Sequence, residues 1–216
     1  MDPRTPCLIG VAQRTVREQP GPEPLDLWEE VARAAAADAR LPVDRLDSIQ
    51  IVHTDSWQYD SPVGRLADRL GAAPRHRVYS KVGGTAPHLL IGAAAAEIAA
   101  GELDCAPITG AEALATRRAY RLAGEHAPWS HPASPKPPYG WERPPHPDEL
   151  AHGLFLPVHT YPIMETARWA ALGLTIEEEM RGRGRMMAPM TEVAAANPHA
   201  WRRTARTPGE LVRGER

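Results

Sequence analysis

The stretch from residue 78 to residue 112, VYSKVGGTAPHLLIGAAAAEIAAGELDCAPITGAE, restricts the fold more than any other part of the chain. A short β-branched run ends at Gly83 and Gly84, and Pro87 then opens a segment in which Leu90, Ala94, Ile98 and their neighbours are apolar all round until Gly101. Proline in a first turn and glycine just past the last one is the punctuation of a helix. A helix without a polar stripe predicts burial. Its N-terminus would then sit inside the protein directly after two glycines. Unpaired N–H groups and the positive end of the helix dipole make such a place an anion or thiolate site.

The same alternation runs through the first half of the chain. Residues 7–15 (CLIGVAQRT) predict a strand, 25–39 an amphipathic helix with Leu27, Val31 and Ala35 on one stripe, and 47–54 a second strand. Residues 62–70 form a helix closed by Gly71, 77–81 a third strand, 87–100 the apolar helix, 105–110 a fourth strand and 111–122 a helix ended by Gly124. A β-α-β-α-β-α-β-α order predicts an α/β domain: a central, mostly parallel sheet with helices on both faces and ligands at the carboxyl ends of its strands. Pro107 has no N–H to give a central strand, so the fourth strand either begins after it or carries a bulge.

Proline also divides the chain. There are 23 in 216 residues, and Pro128, Pro132, Pro135, Pro137, Pro138, Pro144, Pro145 and Pro147 crowd one window that is neither helix nor central strand. The division is an α/β domain at 1–124, a proline-rich loop at 125–150 and a helical loop-domain segment with a charged tail at 151–216. Beyond the loop, residues 161–172 are helical, and Thr175 is a good N-cap for IEEEM. Gly182, Gly184 and Pro189 predict that this last helix frays or kinks before resuming at 191–196, and the tail from 205 reads as unanchored.

A net charge of −2 supplies no basic field for nucleic acid. Cys7 and Cys105 form no disulfide framework and suit a reducing compartment, where a structural role fits each. No targeting segment is evident and every long apolar run is shorter than a membrane span, so a soluble cytoplasmic protein without a membrane span is expected.

The turn at Gly83-Gly84 reads either as an anion site or as tight strand-to-helix packing. It is neither G-x-G-x-x-G nor a P-loop. Thr85 is the one hydroxyl at the helix start, with His88 the nearest base in sequence; the competing reading is an ordinary N-cap threonine. His126, His131, His146, His152 and His159 match no zinc template, and no metal is expected. The RGRGR run centred on Arg183 suits either a phosphate or a solvated helical face. Trp129, Tyr139 and Trp141 either dock a partner or pack the loop onto its own domain.

The segment VGGTAPHLLIGAAAAEIAAGELDCAPITGAEA resembles the thiolase superfamily, in which a nucleophile turn leads through a buried helix ending I-x-x-G-x-x-D into a strand ending G-[AG]-E. PVHTYPIMETARWAALGLTIEEEM, followed by VAAANPHAW, resembles the loop domain of actinobacterial proteins labelled acetyl-CoA acetyltransferase. The resemblance implies a thiolase-like βαβαβαβ half, a covering loop subdomain, and chemistry on coenzyme A thioesters. By this resemblance the family's nucleophilic cysteine falls on Gly84, which cannot be acylated; Thr85 and His88 are the candidate substitutes nearest in sequence. The G-H-P, N-E-A-F and C-x-G motifs of a second half do not occur, so the expectation is an N-terminal half.

Two functions follow. One is a thiolase-like acyltransferase that acts on or binds acyl-CoA, catalytically incomplete as this chain. The other is a non-catalytic fragment or subunit of a thiolase-like complex, or a thiolase-like retro-aldolase subunit with a small OB-fold partner. The resemblance places the coenzyme A thioester, as substrate or ligand and not as a permanently bound cofactor, at Gly83, Gly84, Thr85 and Arg183. It also implies a homodimer through the edge strand at 77–81.

Overall fold

Backbone punctuation decides most of the helices. Helix α1 (Pro24–Asp38), α2 (Pro62–Leu70) and α3 (Ala86–Ala100) each carry proline in the first turn. Gly71 and Gly101 end α2 and α3 at φ 68° and 74°, a left-handed conformation that a residue with a Cβ adopts at a cost. The computed structural model describes residues 4–134 and 146–213. They fall into two compact units, Met1–Glu142 and Arg143–Arg216. Tyr139, Trp141 and the prolines at 135, 137, 138, 144 and 145 lie outside the described residues.

The first unit is α/β. Strands β1 (Ser48–Ile51), β2 (His76–Tyr79) and β3 (Ile108–Thr109) form a parallel sheet in the order β2-β1-β3. Ser48 pairs with His76, and Ile51 with both Tyr79 and Thr109. Side chains alternate across a strand, so Ile49, Ile51 and Tyr79 share one face and Ser48, Gln50 and His76 the other. The first face packs with Leu25, Trp28 and Ala32 of α1 and Val63, Leu66 and Leu70 of α2 to make the core. Strand β3 begins directly after Pro107, whose carbonyl still accepts from the Gln50 N–H. Helix α4 (Leu114–Leu122) follows it.

Four sequence expectations fail in this unit. Residues 7–15 are extended but pair with no strand, and Leu8, Ile9 and Val11 are exposed. This segment runs along α1 instead: the Val11 N–H donates to Asp38 Oδ2 at 2.9 Å, and Gly10 lies so close to the Ala35 carbonyl that a Cβ would not fit. The buried stripe of α1 is Leu25, Trp28, Ala32 and Ala36 with Leu27, rotated from the expected one, and leaves Val31 and Ala35 half-buried. Cys7, expected in a structural role, is exposed. Most consequentially, α3 is not enclosed: only Ala86, Leu90 and Ala94 are buried, while Leu89 is 68% exposed. Apolar composition on every side of a helix states what it would gain from burial, not what covers it.

The second unit is helical: α5 (Pro147–Ala151), α6 (Pro157–Leu172), α7 (Ile176–Ala196) and α8 (Pro208–Arg213). Thr175 caps α7 as expected, in a reciprocal box with Glu178 that depresses the Glu178 carboxyl. The predicted fraying of α7 does not occur, because the tail is not loose. Helix α8 packs on α7 at Gly184, where an added Cβ would sit 2.6 Å from the Pro208 carbonyl oxygen, and Thr191 Oγ1 accepts from the Arg206 N–H at 2.9 Å. Glycine at that contact is what lets the two segments meet.

Candidate functional site

In open parallel sheets, ligands sit beyond the carboxyl ends of the strands where the order reverses. Here that place lies between the loops that follow β1 and β3, and a side chain of the protein already occupies it. The Glu112 carboxylate accepts from the Asp55 N–H at 2.6 Å, from the Ser56 N–H at 3.0 Å and from the Ser56 hydroxyl. Ser56 Oγ in turn accepts from the Ala113 N–H at 2.7 Å, and Arg117 donates to the Asp55 and Ser56 carbonyls. Both the donors and the acceptors of this turn are therefore fixed by the chain itself.

Next to it, the loops after β1 and β2 are tied together. The His53 N–H donates to Ser80 Oγ at 2.9 Å and the Thr54 N–H to the Tyr79 hydroxyl at 3.0 Å. Burial pushes the Tyr79 phenol up to about 12, aided by the Glu112 and Asp55 charges and opposed by the Thr54 N–H, so Tyr79 is a neutral hydroxyl at neutral pH. The His53 ring stands 5.3 Å from that of Tyr79 and faces Asp55 at 3.3 Å through Nε2.

The turn itself is open. Gly83, Gly84 and Thr85 are exposed, and a Cβ built on either glycine would meet nothing within 4 Å. The Gly83 carbonyl accepts from the Ala86 N–H, and Thr85 leads into the helix at φ −88° with no side-chain cap bond. The expectation of a buried helix start is thus corrected, since the polarised end of α3 faces solvent. His88 is exposed on the first turn, and the Thr85 side chain makes no cap hydrogen bond there. Cys105 is half-buried; burial and the charges of Asp47 and Asp104 raise its thiol, which keeps it protonated and a poor nucleophile.

Arg183 belongs to the other unit, where it pairs with Glu165 at 2.9 Å. Trp129 packs edge-on against Trp57 with ring centroids 4.9 Å apart, so it seats its segment on the first unit. Among the described residues, no group of three or more His, Cys, Asp or Glu side chains is placed to hold a metal ion. No helix among them is long and apolar enough to cross a membrane.

Against solved structures, the chain is similar to a monomeric SCP2-thiolase-like protein type 1 from Mycobacterium smegmatis, with 28% identity and a TM-score of 0.73 over 98% of its own length. The fold is thiolase-like. The chain spans 39% of that protein. It also aligns over 44% of its length with 31% of 3-oxoacyl-[acyl-carrier-protein] synthase III from Aquifex aeolicus VF5, at 19% identity and a TM-score of 0.40. No protein-family model and no curated protein matches it.

Two polar groupings of this thiolase-like unit escaped sequence reasoning. Glu112 ends the G-A-E stretch but had no visible partner, because its donors lie more than fifty positions upstream. Glu23 is buried, accepts from the Tyr59 hydroxyl at 2.8 Å and the Ser130 N–H at 3.2 Å, and pairs with Arg69 at 3.2 Å. An acidic residue just before a helix-opening proline was the one available hint.

Proposed function

We propose that this thiolase-like chain binds an acyl-CoA thioester at the Gly83-Gly84-Thr85 turn and does not form an acyl-enzyme there. The supporting observation is the open start of α3, unobstructed above both glycines and set at the carboxyl edge of the sheet. A helix N-terminus attracts a thioester oxygen or a phosphate through its free N–H groups and dipole. Covalent chemistry would need a nucleophile, and Gly84 offers none, Thr85 has no adjacent base within hydrogen-bonding distance, and the Cys105 thiol is raised.

The exposed apolar face of α3 favours a second reading on the same site, in which this chain is a subunit completed by another polypeptide. A separate C-terminal half or a small OB-fold partner would fill that role. On this reading the chain is an acetyl-CoA acetyltransferase-like protein of lipid metabolism.

Intact-protein mass spectrometry and thermal melting after incubation with acetyl-CoA and longer acyl-CoAs test the reading. A raised melting temperature without a mass increase is expected. An acyl adduct on Thr85 or Cys105, or no shift with any thioester, would overturn it.

A further inference from the structure

The sheet face beneath α3 carries Ser48, Gln50 and His76 beside Val78 and Ile108, a polar line where an α/β sheet ordinarily presents aliphatic side chains throughout. Ser48 and Gln50 are 0% and 1% exposed. The Gln50 amide donates to Ser48 Oγ at 3.4 Å, Ser48 Oγ lies 2.9 Å from His76 Nδ1, and His76 Nε2 faces Glu97 Oε1 of α3 at 3.6 Å. Glu97 favours the proton on Nε2, which leaves Nδ1 to accept from the Ser48 hydroxyl and frees Ser48 Oγ to accept from Gln50. Every donor between β1 and α3 then points one way. Ser48 and His76 are direct cross-strand partners, so the chain starts from a fixed register.

The apolar seat of α3 is thin, three residues on one line. Such a line resists lift-off but not tilt or sliding. Glu97 stands eleven residues from Ala86, roughly 16 Å along the axis, with the Leu90 and Ala94 contacts between the two. We infer that the Gln50–Ser48–His76–Glu97 chain sets the tilt and register of α3, and that Glu97 and His76 are positioning residues for the turn at its other end. A directional polar chain specifies geometry that apolar contacts leave loose, even with Gln50 Oε1 and Glu97 Oε2 left without hydrogen-bond partners. The consequence for a ligand at Gly83–Thr85 rests on the function proposed above; the seating of α3 does not.

Hydrogen exchange of the full-length chain, read by mass spectrometry on peptides from α3 against peptides from α1 and α2, tests this. Glu97→Ala is expected to speed exchange across residues 90–100 about fivefold while α1 and α2 stay unchanged, and Glu97→Gln, which keeps an acceptor facing His76, to restore most of the protection. Unchanged α3 exchange in Glu97→Ala, or equal acceleration in all three helices, overturns the inference. Should Glu97→Ala fail to fold, Ser48→Ala cuts the same chain without a large cavity, and unchanged α3 exchange there overturns it equally. Thioester binding is measured on the same variants. Altered α3 exchange in a protein that never binds a thioester would sink the proposed function and leave the positioning role intact.

Discussion

The two faces of the three-stranded sheet are held by opposite means. On one, Ile49, Ile51 and Tyr79 meet α1 and α2 in a core whose central side chains are wholly removed from solvent. On the other, Ser48, Gln50 and His76 meet a helix that buries three residues, half-buries Ala95 and Ile98 and exposes most of its remaining apolar surface. The first face is strong and tolerant, because close-packed apolar contact has no preferred direction. The second is weak but specific. The difference teaches that the apolar helix, which dominates the sequence, is not where the stability of the described structure resides.

Truncating the strong face should therefore produce the largest loss. Leu66→Ala, at a wholly buried position, is expected to destabilise by about 3 to 4 kcal/mol in urea denaturation, whereas Leu90→Ala beneath α3 should cost nearer 2. Equal losses would break the comparison.

Asp47 ranks next, since it ties the chain entering β3 to the start of β1. Burial pushes its carboxyl up, but the Asp104 and Cys105 N–H groups and Arg75 outweigh that and hold it below its ordinary 3.8. A depressed carboxylate stabilises the fold above its ordinary value and loses that contribution as pH falls through the lower folded value. Asp47→Asn should cost roughly 2 kcal/mol at pH 7 and flatten the stability profile below about pH 4, measured by melts across pH.

The uncovered surfaces predict smaller, associative effects. Sedimentation at micromolar concentration is expected to show a homodimer formed through the edge strand β2, and Leu89→Lys should lessen any further association while leaving that dimer in place. A monomer in the unsubstituted protein would refute pairing through β2. Smallest of all, Gly83→Ala should change stability by no more than about 0.5 kcal/mol, because the added methyl meets open space and Gly83 needs no left-handed backbone. Any effect of that substitution on thioester binding then reports on the turn itself.

Most helices were legible, and the reason is local: Pro62 with Gly71, Pro87 with Gly101, and Thr175 with Glu178 are signals that each helix carries within itself; α5 and α8 were not, since Pro147 was read into the proline-rich loop and the tail as unanchored. Strand β3 was legible for the same reason, its start set by Pro107. What misled were inferences from a segment to its surroundings. Residues 7–15 have the composition of a strand but lie along α1, and Gly184 looks like a helix breaker until α8 is seen against it. At the candidate site the turn at Gly83–Thr85 could be picked out, while the hydrogen-bonded groups at the neighbouring strand ends could not, since His53, Tyr79 and Glu112 come from three separated stretches of the chain.

By itself, the sequence determined the α/β character of the first unit, most of its helix limits and the thiolase-like pattern. Those properties rest on backbone conformation and periodicity, which act over a few residues. Only the tertiary structure decided that α3 stands largely uncovered, that Glu112 fills the crevice at the strand ends, and that a polar chain runs from β1 to α3 beside a thin apolar seat. Each of these depends on which distant groups share a space, and hydrogen-bond partners separated by tens of residues leave no periodic trace in the chain that carries them.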